Sequence, residues 1–149
     1  MSFTWPARVY WEDTDGGGVV YHGSYLKFFE RARTEWLRSL GISQRALADE
    51  QSILFTVASL EIRFRHPARL DDELRVSCEA ARAGGASIGF VQRIHRRGGP
   101  GGGQDALRQD VLIAEAEVRV ACLDARTLRP QRLPEFMVDL LGTRLEERA

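Results

Sequence analysis

The feature that most restricts the fold is one long amphipathic stretch between residues 25 and 40. Wound as a helix at about 100° per residue, it gathers its apolar side chains on one side and its charged ones on the other. The apolar set is Tyr25, Leu26, Phe28, Phe29, Ala32, Trp36, Leu37 and Leu40. This arc covers about half of the circumference, which is wide for a helix lying on a surface. The pattern therefore predicts a central helix that a sheet surrounds.

Local signals at both ends support this helix. Gly23 or Ser24 is expected to cap its start, and Gly41 suits the left-handed residue that ends many helices. Arg33 falls inside the apolar arc, and because unpaired buried charge is costly, we expect it to pair with an acid at the helix edge. A second, short helix is predicted over residues 43–50.

Strands account for most of the remaining chain. A short strand is predicted over residues 8–11, and four long segments show the two-residue alternation of half-buried strands. These segments are centred on residues 54–65, 74–80, 88–94 and 112–122. Their succession predicts an antiparallel meander of four strands curled around the helix, which is an α+β fold. No linker or repeat interrupts residues 1–149, so we expect a single domain.

Turn residues separate the predicted strands. Pro67 is expected to close the first long strand, within a turn over residues 66–72, and Gly84-Gly85 to turn the next hairpin. Residues 96–109 contain five glycines within positions 98–103 and are expected to form an extended, mobile loop. The segment from Pro134 to Gly142 has the proline start and glycine stop of a short helix.

Composition excludes several classes of function. The 21 basic and 21 acidic residues cancel, so no overall charge attracts nucleic acid or an anionic membrane. No apolar run reaches the roughly 20 residues of a membrane span, and the N-terminus lacks the order of a secretory signal, which predicts a cytoplasmic protein. Cys78 and Cys122 stand in apolar rows without metal-ligand spacing, so we expect core residues and no metal site.

Chemistry is concentrated in one stretch, EDTDGGGVVYHGS, residues 12–24. Its glycines lack the Gly-Lys-Ser/Thr of a phosphate loop, and on composition alone they indicate a flexible turn before the helix. Asp13 and Asp15 precede the helix by too many residues to cap it in sequence. A carboxylate facing exposed amide groups of a helix start is the arrangement that acyl transfer needs, with a base on one side and oxyanion donors on the other.

The same residues indicate which kind of leaving group the site suits. The chain has no GxSxG elbow and no second acid at a fixed spacing, and a thiolate leaves more easily than an amine or an alkoxide. A thioester is therefore the substrate that one carboxylate and an oxyanion site suit best. His22 would hydrogen-bond the substrate, orient water or assist the departing sulfur, but it is equally typical of a satisfied helix terminus. Tyr21 has the same two interpretations, and its residue type favours core packing over a role in the site.

These residues carry a resemblance to a known family. The run RVYWEDTDGGGVVYHGSYLKFFERARTEWL resembles the 4-hydroxybenzoyl-CoA thioesterase family, and most closely its YbgC-like branch of acyl-CoA thioesterases associated with the Tol–Pal system. The likeness continues through HPARLDDELRV, ASIGFVQRI, EAEVRVACLD and RPQRLPEF, so it covers nearly the whole chain. The glycine-rich insertion at 98–103 departs from the branch in length.

The resemblance implies a hotdog fold, in which a five-stranded antiparallel sheet wraps the long helix. It further implies a homodimer joined edge to edge and commonly paired into a homotetramer. By position, Asp15 corresponds to the catalytic carboxylate, His22 to the histidine of the branch, and Gly23 with His22 to the oxyanion donors at the helix start. Tyr21, Ser87, Arg129 and Arg132 are the implied contacts to coenzyme A, which is part of the substrate; no separate cofactor is implied.

Two functions of different classes remain open. The first is hydrolysis of short aliphatic or aromatic acyl-CoA by Asp15, as base or nucleophile, with Asp13 structural. The second is a non-catalytic hotdog protein that binds an acyl carrier protein or an envelope complex. A hotdog dehydratase is disfavoured, because that family places its acid and histidine on other elements.

Overall fold

The structure, a computed structural model, describes residues 3–98 and 110–148. Within these ranges, five strands and three helices follow one another along the chain. Their bounds are β1 Phe3–Arg8, α1 Ser24–Ser39, α2 Gln44–Gln51, β2 Ile53–Phe64, β3 Glu73–Gly84, β4 Ser87–Arg96, β5 Val111–Asp124 and α3 Glu135–Arg148. The predicted loop at 96–109 lies outside the described residues from position 99 onward.

The five strands form one antiparallel sheet in the order β1-β3-β4-β5-β2. The predicted meander of four strands is wrong in one respect: β3, β4 and β5 are consecutive neighbours, but β2 pairs with β5 and not with β3. Residues 65–72 are therefore not a hairpin turn. They cross one end of the sheet from β2 to β3, and this crossing segment becomes one wall of the candidate site.

Helix α1 lies against the concave face of the sheet, as the wide apolar arc predicts. Its buried side chains include most of the predicted set, among them Phe28 and Phe29, whereas Leu26 is exposed. Trp36 packs edge-on against Phe90 of β4, with ring centroids 5.4 Å apart. Gly23 is the N-cap residue, and Gly41 has a φ of +82°, so both predicted ends are confirmed.

Three local predictions are wrong. The first strand precedes its predicted position, and Trp11–Asp13 instead form a short 3-10 turn. Helix α3 continues through Gly142 to Arg148. Arg33 donates to the amide oxygen of Gln92 at 3.0 Å, not to an acid; this fully buried glutamine in turn donates to the carbonyl of Phe29 at 3.0 Å.

Both cysteines are buried free thiols, as predicted. Burial raises the pKa of the Cys78 thiol to about 12, so it is held as a protonated, unreactive core residue. Among the described residues no group of three or more His, Cys, Asp or Glu side chains is arranged to hold a metal ion. No helix within the described ranges is long and apolar enough to cross a membrane.

Candidate active site

The candidate site lies at the end of the sheet where residues 65–72 cross. β1 and β2 end there, and β3 and β5 begin there. The chain leaves β1 through the 3-10 turn, forms a small hairpin over residues 14–20, and enters α1. An open cavity of about 390 Å³ lies between that hairpin, the start of α1 and the crossing segment. Its lining residues are Asp15, Val19, Val20, His22, Tyr25, Phe64, Arg65, His66 and Pro67.

Asp13 and Asp15 have different surroundings despite lying two residues apart. Asp13 is buried, and its Oδ2 accepts a hydrogen bond from the Tyr10 amide at 2.9 Å, which holds the 3-10 turn closed. Asp15 is exposed and lines the cavity. Asp13 therefore has the surroundings of a structural carboxylate, and Asp15 those of a carboxylate that a ligand can reach.

The glycine run shapes the hairpin that presents Asp15. The Gly18 amide donates to the Asp15 carbonyl at 3.1 Å, and Gly18 has a φ of +81°, a conformation that residues with a Cβ rarely adopt. The Gly17 amide donates to Asp15 Oδ1 at 2.8 Å. One carboxylate oxygen of Asp15 is thus fixed by its own turn, which orients the other.

The residues before α1 have amide groups at the cavity that Asp15 lines. Within residues 3–98 and 110–148, no group accepts a hydrogen bond from the His22 or Gly23 N–H, whereas the Tyr21 amide donates to the backbone carbonyl of Asp13 at 2.8 Å. The unpaired amides of a helix start, together with the helix dipole, favour a negative charge. These two N–H groups are therefore available to a developing oxyanion.

The rings of Tyr21 and His22 contact each other at a tilt of 40° just before α1. Their ring centroids are 4.4 Å apart, and both side chains are exposed. The Tyr21 ring folds over Gly23 so closely that a Cβ on Gly23 would lie 2.6 Å from its Cε2. The absence of a side chain at Gly23 therefore lets an aromatic ring cover the first turn of the helix.

Tyr25 contributes a hydroxyl to the cavity. It accepts a hydrogen bond from the Ala68 amide at 3.2 Å, which leaves its own hydrogen for donation. Burial raises the pKa of Tyr25, so the group remains a phenol. Its ring also packs against Phe64, with centroids 5.5 Å apart, which joins α1 to the end of β2.

The crossing segment supplies a histidine for which the sequence predicts no role. Nδ1 of His66 lies 2.9 Å from the Leu112 carbonyl oxygen of β5, and the His66 amide donates to Ile113 at 3.2 Å. The motif HPARLDD indicates only a turn, so no local signal identifies this residue. It faces the cavity because strands distant in sequence meet there.

Three of the four predicted coenzyme A contacts lie far from this cavity, and only Tyr21 lies beside it. Ser87 begins β4 opposite Ala121, at the other end of β5 from Ile113. From position 113 to position 121, at about 3.4 Å per residue, the separation is about 27 Å. Arg129 and Arg132 are exposed in the segment after β5, near Ser87. One chain therefore brings Asp15, Tyr21, His22 and Gly23 together but does not bring Ser87, Arg129 or Arg132 to the same cavity.

Comparisons with known proteins agree with this architecture. The family profile of the Thioesterase-like superfamily matches residues 9–141. Acyl-CoA thioesterase YbgC of Haemophilus influenzae is 44% identical over 133 residues, which cover 89% of each chain.

Solved structures show the same fold. A probable thioesterase from Bartonella henselae superposes with a TM-score of 0.77 at 34% identity, covering 90% of this chain and 100% of that one. A mutant 4-hydroxybenzoyl CoA thioesterase complexed with 4-hydroxybenzoyl CoA superposes with a TM-score of 0.81 at 21% identity, covering 94% and 98%. The likeness to the second structure concerns the fold alone. These findings confirm the predicted hotdog fold and the predicted enzyme class, thioester hydrolase. The chain belongs to the Thioesterase-like superfamily.

Proposed function

We propose that the chain hydrolyses acyl-CoA thioesters in the cavity beside Asp15. The observation that carries the proposal is that one cavity is lined by the Asp15 carboxylate and by the start of α1, whose His22 and Gly23 amides have no partner in the described ranges. A carboxylate facing oxyanion donors meets both needs of acyl transfer. The names of the relatives, acyl-CoA thioesterase and acyl-CoA thioester hydrolase, support this substrate class.

In this mechanism the substrate carbonyl oxygen approaches the His22 and Gly23 amides. Negative charge grows on that oxygen as the carbonyl carbon is attacked, and the amides together with the helix dipole stabilise it. Asp15 either removes a proton from the attacking water or attacks the carbon itself. Tyr21, whose ring lies over Gly23, shields the carbonyl from bulk water.

The acyl group is a short aliphatic chain or an aromatic ring. The walls beside Asp15 are apolar, formed by Val20, Phe64 and the ring of Tyr25. A volume of about 390 Å³ lies within the common range of small-ligand pockets, roughly 300–1,000 Å³. This cavity accommodates the acyl group and the pantetheine end, and the nucleotide remains outside it.

We further propose that two copies pair through β2. This strand is one edge of the sheet, and its exposed apolar side chains include Leu54, Val57, Leu60 and Phe64. A long apolar edge strand is a template for pairing with another chain. In such a dimer, Ser87, Arg129 and Arg132 of one subunit contact a coenzyme A that is bound beside Asp15 of the other subunit. A homotetramer, an acyl carrier protein, a Tol–Pal association and a cytoplasmic location stay expectations from the family resemblance.

The first test is turnover by Asp15→Asn. The asparagine oxygen still accepts from the Gly17 amide, so the hairpin keeps its shape, but an amide neither takes a proton nor attacks a carbonyl. We expect the parent to release thiol from butanoyl-CoA or benzoyl-CoA, and Asp15→Asn to lose about 100-fold or more in kcat/KM. The neighbouring Glu12→Gln, an exposed carboxylate outside the cavity, is the matched control and should keep parental activity.

Two outcomes would count against this function. Equal activity of Asp15→Asn and the parent would remove the mechanism, and release of no thiol from a panel of acyl-CoA esters would favour the non-catalytic binding protein. Single turnover in ¹⁸O-labelled water tests attack by Asp15. Label recovered in the Asp15 carboxylate demonstrates that attack, because water then opens the mixed anhydride at the Asp15 carbon.

A further inference from the structure

We propose that His66 is the general acid of this site and protonates the departing sulfur. This inference rests on the proposed thioester hydrolysis. His66 lines the same cavity as Asp15 and lies on the crossing segment between β2 and β3. No part of the mechanism above uses it.

The hydrogen bond of His66 fixes which ring nitrogen is available. A backbone carbonyl only accepts, so the contact of Nδ1 with the Leu112 oxygen at 2.9 Å places a hydrogen on Nδ1. The second nitrogen, Nε2, lies at the opposite edge of the ring and points away from β5. A histidine held through Nδ1–H in this way presents Nε2 for proton transfer in either charge state.

The wall that carries His66 is tied to the catalytic hairpin and to α1. The Val20 amide donates to the Ala68 carbonyl at 2.8 Å, and Val19 and Arg69 form a β-bridge. The Tyr25 hydroxyl, on α1, accepts a hydrogen bond from the Ala68 amide. These contacts join the segment that carries His66 to the hairpin that carries Asp15 and to α1.

The second histidine of the cavity is held differently. The His22 ring contacts the Tyr21 ring, and within the described ranges no hydrogen bond fixes either nitrogen of its ring. Its backbone amide is already assigned to the oxyanion. The fixed orientation of His66 therefore suits it better to deliver a proton to one defined atom.

The proton balance of the step is complete. An oxygen of water or of Asp15 bonds to the carbonyl carbon, and the C–S bond breaks with its electron pair on sulfur. The proton on Nε2 passes to that sulfur and leaves neutral imidazole with its hydrogen on Nδ1. The proton released from water during hydrolysis then recharges Nε2, so the products are the acid and a free thiol.

The need for this proton follows from leaving-group chemistry. If Asp15 attacks, the tetrahedral intermediate can expel either the carboxylate, whose acid ordinarily has a pKa of about 3.9, or the thiolate, whose thiol ordinarily has a pKa of about 8.5. The carboxylate is the better leaving group, so the intermediate returns to substrate unless the sulfur is protonated as it departs. An acid beside the sulfur directs the intermediate forward.

The test compares two thioesters of one acid that differ in their thiols. His66→Asn keeps a side-chain N–H near the position of Nδ1 for the Leu112 carbonyl but removes Nε2, and His66→Gln is a second variant. With a benzoyl ester of N-acetylcysteamine, an alkyl thiol, we expect His66→Asn to lose about 100-fold in kcat/KM. With the benzoyl ester of thiophenol, whose acidic thiol leaves without help, the loss should stay below about threefold.

The outcomes separate this inference from the proposed function. Equal losses on both esters indicate a structural role for His66, and unchanged activity indicates that His66 has no role in turnover. Either result overturns the inference. The proposed thioesterase function still stands in both cases if the parent turns over and Asp15→Asn loses activity. A leaving-group-dependent loss in His22→Asn but not in His66→Asn assigns the proton to His22 and also overturns it. If the parent hydrolyses no thioester at all, the proposed function fails first.

Discussion

Strands β2 and β4 have similar alternating sequences but different surroundings. In β4, the inward row Ile88, Phe90, Gln92 and Ile94 is buried against the helix side of the sheet. In β2, only Ile53 is fully buried, and Leu60 and Phe64 remain 41% and 53% exposed. The two-residue period identifies a strand in both cases. Whether the apolar row is covered depends on the position of the strand in the sheet, which the period does not encode.

The difference indicates that the two strands have different tasks. β4 has a neighbour on each side and builds the core of its own chain. β2 is an edge strand with exposed apolar side chains, and it is the strand through which we propose that two copies pair. Substitutions in the two strands should therefore affect different measurements, and their effects on folding should fall from β4 to β2.

The largest effect is expected from Phe90→Ala. Phe90 is 3% exposed and packs edge-on with Trp36 of α1, so its removal leaves a cavity between the helix and the sheet. We expect a loss of about 3–5 kcal/mol in the free energy of unfolding, measured by urea denaturation. A loss below about 1 kcal/mol would show that β4 is no more buried than β2 and would remove the contrast.

An intermediate effect is expected from Gln92→Leu, in the same buried row. The substitution removes the acceptor of Arg33 and the donor to the Phe29 carbonyl, and burial already lowers the pKa of Arg33 by disfavouring its charged form. We expect a loss of about 2–3 kcal/mol in the free energy of unfolding.

The double variant Arg33→Met/Gln92→Leu tests the reason for that loss. Removing both partners leaves no buried charge without an acceptor, so the double variant should be more stable than Gln92→Leu alone. A double variant less stable than either single variant would mean that the two residues do not act as a pair.

The smallest effect on folding is expected from Leu60→Ser in β2. Because this side chain is 41% exposed, the chain at high dilution should change by less than about 1 kcal/mol in its free energy of unfolding. In a two-fold dimer through β2 the substitution occurs twice, so the dissociation constant should rise by about 10- to 100-fold in sedimentation experiments. Unchanged association would exclude β2 as the interface.

Elements specified by adjacent residues were predictable from the sequence. The bounds of α1 agree with its predicted range to within one residue, because the apolar arc, Gly23 and Gly41 lie in one continuous segment. Asp15, His22 and Gly23 were likewise predicted to lie close together because they belong to one continuous segment. Helix α2 begins one residue after its predicted start, with Ser43 accepting from the Ala46 amide at 3.2 Å as its N-cap.

Features that depend on distant contacts were not predictable. The pairing of β2 with β5 joins segments about 60 residues apart, and no local pattern distinguishes it from a hairpin with β3. β1 was misplaced because Pro6 weakens its strand signal, although a proline is tolerated on an edge strand. The buried amide of Gln92 took the place of the acid expected beside Arg33, since a neutral acceptor satisfies the guanidinium without adding a second buried charge.

The ties between the crossing segment and the hairpin have a consequence for ligand binding. Val20 and Tyr25 hold Ala68 from two elements, so contacts within the protein itself fix the walls of the cavity. In the function that we propose, recognition therefore costs little ordering entropy in the protein, and the free energy of contact with the acyl group is available for affinity. Discrimination among acyl groups should accordingly arise from steric fit to a fixed shape.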